Sequence, residues 1–321
     1  MNPVKKILEK LNGLHYRQEY LCFAKESHTE PLHVYLVQDQ HITKDITNQH
    51  LFTGYCPLIF VFPADNQLTE SIQLLFSQKL LIPNEVFEQK DALAILEMKM
   101  IKKQVSNNSN IVYYEGSHVH HFLLNGFHQY LSSIYNGLYN KRPGNVFLHD
   151  NLYKQVQVAY AVPRIISLIT VSNNNLFNLF PTDLHGQIDD EHYIISLRSN
   201  GKACKQVEAT GKVLLSRMHC DAYKTVYGLG KNHMQELRTK EHFQFGSVSS
   251  KNLKLPIAEQ AISYQELLLK DSFIHGIHRV FLFKIIFQQQ LNAEQATLSH
   301  IHNCYATWRY KNKLAGNYLI R

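Results

Sequence analysis

Three patterns in this sequence have the residue types and spacing that chemistry requires. The first is Ser199-Asn200-Gly201-Lys202, with a further cation at Lys205. A helix starting there aims free backbone N–H groups and partial positive charge outward, and the lysines add full charges, which suits a phosphate-bearing ligand. Taken alone, the stretch describes a solvated helix start as well. The second is a set of histidine groups, His118-x-His120-His121, His275-x-x-His278 and His300-x-His302. None forms His-Glu-x-x-His, and a chain with 19 histidines produces such pairs by chance, so no metal site is expected. The third is an absence. No Gly-x-Ser-x-Gly elbow and no Gly-x-Gly-x-x-Gly fingerprint occurs, which gives no support to hydrolase or Rossmann readings.

The elements that must position these residues are best read between Ala161 and Met218. Residues 165–171 are rich in β-branched side chains and lie between Pro163 and the polar cluster Ser172-Asn173-Asn174-Asn175, so they predict a strand and a hairpin turn. A second strand follows through Phe180 and stops at Pro181. A third ends near Ser196. A short helix from Lys202 closes on Thr210-Gly211, and a strand resumes over 213–218.

This order of pieces resembles the flavin reductase-like family, whose domain is an FMN-binding split β-barrel. Pro163-Arg164 leading to Thr170 resembles the family's Pro-Arg opening of a strand that ends in Thr. Asn178, Pro181, Thr182 and Asp183 match its Asn-x-x-Pro pattern, Ser196 its next strand end, and Lys202 to Gly211 its short helix. Gly276-Ile277-His278, ahead of an apolar strand over 280–287, resembles its Gly-Asp-His. The resemblance implies FMN with its phosphate at Gly201, Lys202 and Lys205, helped by Arg164. It places the ring against the Asn178–Asp183 exit, with Phe180, Pro181, Thr182 and Asp183 in contact. Ser196 becomes a candidate hydroxyl donor and His278 a candidate catalytic residue beside the nicotinamide. Asp183 stands where the family often has Ser, and a carboxylate beside a flavin that turns anionic on reduction is unfavourable unless it points away. Ile277 replaces the family's Asp. The implied activity is hydride transfer from NADH or NADPH to bound flavin and onward to a further acceptor, in a homodimer with flavin near the subunit interface. Two other readings stay open: a flavin-binding electron carrier or sensor, and a split barrel that has lost flavin and serves as an interaction module.

The whole chain fits these expectations. Its 321 residues suffice for two domains, 45% are apolar and 18% charged, and the net charge is +7. The Lys and Arg residues are scattered, so the charge reads as a solvated surface or an attraction for anionic cofactors, and no nucleic-acid partner is expected. Five cysteines without a Cys-x-x-Cys pair argue against a disulfide framework. The start of the chain lacks the apolar core of a secretory signal, and no run approaches the roughly 20 residues needed to cross a bilayer. A cytoplasmic protein without membrane contact is expected.

Residues 1–145 read as a mixed α/β region of unknown role, and 146–321 as the split-barrel domain, an α+β whole with an antiparallel Greek-key barrel. In the first half, helices are expected over 4–11, 66–79, 84–104 and from Ser117 onward, with strands over 32–37 and 58–62 and loops over 106–110 and 142–145. In the second, a half-buried strand is expected over 153–162, a polar loop over 223–240 and a helix after Pro256.

Overall fold

The computed structural model describes residues 11, 13–16, 18–25, 32–63, 68–105, 110–139, 148–293 and 296–314. The helix expected over 4–11 falls, apart from Leu11, outside them, as do the loops expected over 106–110, apart from Asn110, and over 142–145. The chain forms two compact units. The first comprises Met1–Leu21, His28–Pro163 and Ile301–Asn317, and the second Cys22–Ser27, Arg164–His300 and Tyr318–Arg321.

After β1 (Tyr20–Lys25), the first unit builds a sheet from β2 (His33–Gln38), β3 (His41–Asp45), β4 (Leu51–Gly54), β5 (Ile59–Pro63), β6 (Ser71–Ser77), β7 (Ala94–Val105) and β8 (Asn110–His121). Helices α1 (Gly126–Tyr139) and α2 (Asp150–Ala159) follow. The helices expected over 66–79 and 84–104 are therefore strands. Along β7 the buried residues are Ala94, Leu96 and Met98, a period of two carried by good helix formers, so tertiary pairing overrides local propensity. The helix expected from Ser117 begins nine residues later, because β8 runs on to His121. The strand expected over 153–162 is α2 instead. It buries Gln155 and Gln157 as well as Val156 and Val158, and the alternation Val156, Val158, Tyr160 masks the helical spacing of Leu152, Tyr153, Val156 and Ala159.

The second unit contains β9 (Arg164–Ile165), β10 (Ser167–Asn173), β11 (Leu176–Thr182), β12 (His185–Gln187), β13 (His192–Arg198), α3 (Lys202–Thr210), β14 (Lys212–Met218), α4 (Tyr223–Gly228), β15 (Phe245–Ser249), β16 (Pro256–Ala258), β17 (Ala261–His275), β18 (His278–Gln290) and, up to His300, β19 (Thr297–His302). The last helix, α5 (Asn303–Lys311), belongs to the first unit. The β10–β11 turn has Asn174 and Asn175 at φ 50° and 60°, and α3 ends on Gly211 at φ 61°, both as their residue types predict. In place of the helix expected after Pro256, β16 and β17 form, with Pro256 at the first position of a strand, where a missing N–H is tolerated. Part of the polar loop expected over 223–240 is helical, as α4 and a 3₁₀ turn over Leu229–Met234.

Both sheets are antiparallel, and both use one plan. The first runs β3-β2-β6-β7-β8-β5-β4 and the second β11-β10-β14-β17-β18-β13-β12. With the strands of each sheet counted from one to seven along the chain, both orders read 2-1-5-6-7-4-3. The long central hairpins also share their irregularities. In the first, Ser117 and Ile101 are the unpaired residues, flanked by the pairs Glu97–His118 with Met98–Gly116, and Met100–Tyr114 with Lys102–Tyr113. In the second they are Ile286 and Lys270, flanked by Glu266–Phe287 with Leu267–Ile285, and Leu269–Phe283 with Asp271–Leu282. The bulges fall at the same spacing on the same strands, and bulges are features that a fold retains. The described pairings leave each sheet with two edges and do not join it into a closed barrel. The first half is thus a largely antiparallel unit built on the plan of the second, and not the mixed α/β region its sequence suggested.

Two apolar clusters lie on opposite sides of the second sheet. Leu168, Leu179, Leu214 and Met218 belong to one, and Ile169, Phe180, Val213 and Leu215, with Cys204 and Val207 of α3, to the other. The bulge at Glu266 differs chemically from its counterpart. Glu266 is fully buried and accepts from the N–H groups of Asn252 (2.8 Å) and Leu253 (2.8 Å), whereas Glu97 is exposed. Removing a buried acceptor strands its donors, so Glu266→Ala should cost about 3 kcal/mol and Glu97→Ala less than about 0.5 kcal/mol. Urea midpoints of the two variants check this, and equal losses would contradict it.

Candidate functional site

Helix α3 starts without a side-chain cap. Ala203, Cys204, Gln206 and Val207 are buried and hold the helix against the sheet, while its cap, Gly201 (φ −73°, ψ 147°), has no side chain to accept from the first-turn amides. The Gly201 N–H donates to the Arg198 carbonyl at 3.0 Å. A β-carbon at Gly201 would lie 3.2 Å from that oxygen, a tight approach, and 3.4 Å from the His233 carbonyl, so the backbone packs closely on both sides of this residue. Lys202 is ion-paired with Glu236 at 2.6 Å, on the surface, and Lys205 is exposed. Burial pushes the Cys204 thiol up to about 11, which keeps it protonated and inert.

Residues far apart in sequence meet around this helix. The Ser199 N–H and hydroxyl both donate to the Ile277 carbonyl, at 2.9 and 3.2 Å. Ser196 Oγ shares a hydrogen bond with His278 Nδ1 at 3.3 Å, and both side chains are buried. The buried Asn178 amide donates to Gln206 Oε1 (2.7 Å) and to the Asn232 carbonyl (3.0 Å), while its Oδ1 is a buried acceptor that makes no hydrogen bond. The His233 ring donates to the Pro181 carbonyl at 2.7 Å and lies 5.0 Å from the Phe180 ring. Burial lowers the His233 pKa, against the opposing pull of the Pro181 bond and Asp183.

Strand alternation divides the remaining candidates. Phe180 is fully buried beside α3 in one cluster, with Thr182 also buried. Asp183 instead binds His300 Nδ1 at 3.1 Å. Arg164 is buried and pairs in register with His300. The pieces at 164, 178–183, 196–202 and 276–278 are therefore brought together, while Lys205 stands outside these contacts. Gln206, Asn232, His233 and His300 take part in these contacts and were not singled out for this site by the sequence. Only His300 carried a signal, as half of a histidine pair, because amides and loop residues bear no periodicity.

The shared sheet plan permits a comparison within the chain. Matched pairings put Tyr35 with Leu168, Phe60 with Tyr193 and Ile72 with Val213. Lys44, Asp45 and Pro63 then stand where the second unit has Phe180, Pro181 and Ser196. Phe60 and Ile72 are twelve positions apart, Tyr193 and Val213 twenty. The eight extra residues fall in the connection that carries α3, and among the described residues the first unit shows no counterpart of that helix.

No protein-family model matches this chain, and no curated protein sequence matches it. Solved structures do. An NADH:FAD oxidoreductase of Streptomyces globisporus is 13% identical over 49% of this chain and 93% of its own, with a TM-score of 0.41. About half of this chain is similar to flavin reductases and FMN-binding proteins. Others are the flavin reductase component of a bacterial two-component tryptophan halogenase (12% identity, 46% of this chain and 91% of that one, TM-score 0.40) and an FMN-binding protein of Thermus thermophilus (15%, 44% and 86%, 0.38). Among the described residues no helix is long and apolar enough to cross a membrane.

One buried histidine gives this region a pH dependence. His185 is hydrogen-bonded to Tyr193 at 2.7 Å, and burial lowers its pKa to about 4, although Asp183 pulls upward. The folded state holds it neutral, whereas the unfolded chain protonates it near its ordinary value of about 6.5. Its contribution to stability is present above that value and lost as pH falls from about 6.5 to about 4, at about 1.4 kcal/mol per unit. His121 in the first unit is lowered to about 4 by the same cause. The urea midpoint should therefore drop between pH 7.5 and 4.5, and drop less in His185→Gln. An identical pH slope in the two proteins would contradict this.

Proposed function

We propose that the second unit binds FMN, with the phosphate at the start of α3 and the ring toward the end of β11, and that it accepts hydride there from NADH or NADPH. The observation that carries this reading is the meeting of the separated motif pieces: Ser199 on Ile277, Ser196 on His278 and Asn178 on Gln206. The residues present fit the group. The uncapped amides of the first turn, Lys202 and nearby Arg198 suit a dianion, and Asn178 Oδ1 is a buried acceptor for a ligand N–H. When bound, the flavin supplies the redox chemistry. The chain's own residues bind and orient. Arg198 and Lys202 balance phosphate charge, and His233 fixes the Pro181 carbonyl and thereby the end of β11. His278 positions Ser196 next to the Ser199–Gly201 loop, in reach of the nicotinamide site in this reading. Asp183 keeps its charge on His300, which answers the objection to a carboxylate at this place. A homodimer and a cytoplasmic setting belong to the same proposal.

Glu236 already occupies Lys202 as an exposed ion pair of the kind worth at most about 1 kcal/mol, so a phosphate displaces it readily. Purified protein should be yellow, absorbing near about 450 nm, and should bleach under anaerobic NADH or NADPH. A coloured protein that does not bleach is a carrier, and a colourless one that takes up no flavin refutes the reading. Lys202→Glu should weaken FMN binding about tenfold or more, whereas Glu236→Gln should tighten it a few-fold by removing the competing carboxylate. Titration by flavin fluorescence checks both, and affinities that both variants leave unchanged would move the phosphate elsewhere.

A further inference from the structure

A carboxylate, an imidazole and a phenol stand in line beyond the end of β11. Asp183 Oδ2 lies 3.1 Å from His300 Nδ1, and His300 Nε2 is hydrogen-bonded to the Tyr227 hydroxyl. The Tyr227 and His300 rings are 5.5 Å apart and inclined by 43°. The three residues come from the loop after β11, from β19 and from α4, elements that sequence separates by up to 117 positions.

The partners fix the protons. A carboxylate can only accept, so His300 Nδ1 carries hydrogen, and Nε2 is left with the lone pair that accepts from the phenol. An orienting carboxylate, then a base, then a hydroxyl is the arrangement by which proteins activate an O–H group for transfer. Burial suits the task. The Asp183 and His300 side chains are 21% and 19% exposed, shielded enough to keep their alignment and wet enough to exchange protons. Tyr227 packs against the apolar cluster of Leu168, Leu179 and Val226, which holds its ring in place.

We propose that Tyr227 is the proton-transfer residue of this site, with His300 as its relay base and Asp183 as a positioning residue, and that the acceptor reduced there is a conjugated carbonyl compound. This rests on the flavin reading above. A hydride brings two electrons and one hydrogen to the electrophilic carbon of such an acceptor. The π pair moves to oxygen, and the resulting enolate needs a proton. The Tyr227 Oη–H turns from His300 to the enolate and breaks as it supplies the proton; a solvent proton taken up at His300 Nε2 then passes to the tyrosinate. The sum is NAD(P)H plus a proton plus the unsaturated carbonyl, giving NAD(P)+ and the saturated one. A one-electron carrier takes no such proton and needs no relay.

The relay is read first in flavin-free protein, by labelling with an aryl sulfonyl fluoride and mass spectrometry of the tyrosines. Tyr227 should react about tenfold faster than the typical tyrosine of this chain, and His300→Gln should remove that advantage while Asp183→Asn reduces it. A Tyr227 no faster than the rest, or one unchanged in His300→Gln, overturns the relay whether or not flavin binds. The acceptor class is read in flavin-loaded protein, as the ratio of turnover with but-3-en-2-one to turnover with ferricyanide. Tyr227→Phe should lower that ratio roughly 100-fold, in the usual range for a lost general acid. A ratio that Tyr227→Phe leaves unchanged overturns the assignment to conjugated carbonyls.

Discussion

Helix α3 begins on a glycine with nothing to offer its first amides, and the surrounding structure is arranged about that unmet need. A helix start in this state attracts negative charge. The loop before it is fixed by two donations from Ser199 to Ile277, and its flank by the close approach of the chain at His233 to Gly201. The Asn178 amide then ties strand, helix and covering segment through Gln206 and Asn232. Buried amide bonds of this kind are individually modest, but each leaves a costly orphan if broken, so they hold the geometry more firmly than their number suggests.

The same connection is where two matched sheets part. Strand order, pairing register and the two bulges of the central hairpin agree between the units, while the segment between the fourth and fifth strands is eight residues longer in the second. The simplest physical account is one sheet plan used twice, with α3 found in one copy among the described residues. The residues at the other matched positions differ too: Lys44 and Asp45 put charged side chains where the second unit has the apolar Phe180 and Pro181, and Pro63 lacks the hydroxyl of Ser196.

What the sequence made legible follows from where its signals are local. The Asn-rich turn, the β-branched run after Pro163 and the Gly211 helix end depend on residues that only certain backbone conformations accept, and each stands as read. The strands at Ser71–Ser77 and Ala94–Val105 were illegible because helix-forming residues fill them and their faces are buried by partners far away in sequence. Helix α2 was hidden by the alternation of Val156, Val158 and Tyr160 with buried glutamines. The repeated sheet left no mark in the sequence either, since register and bulges conserve backbone geometry without conserving side chains. Likewise the participation of Asn232, His233 and Tyr227 arises from the path of the chain after β14, which no periodicity announces.

The proposed flavin site implies a single anion-binding connection per chain. The most direct measurement is flavin content: FMN released by heat from saturated, desalted protein, quantified against chain concentration by amino-acid analysis. The account predicts one FMN per chain. Two per chain would mean that the first sheet also carries a site, and none would mean that the start of α3 is an ordinary solvated helix end, and either result contradicts it.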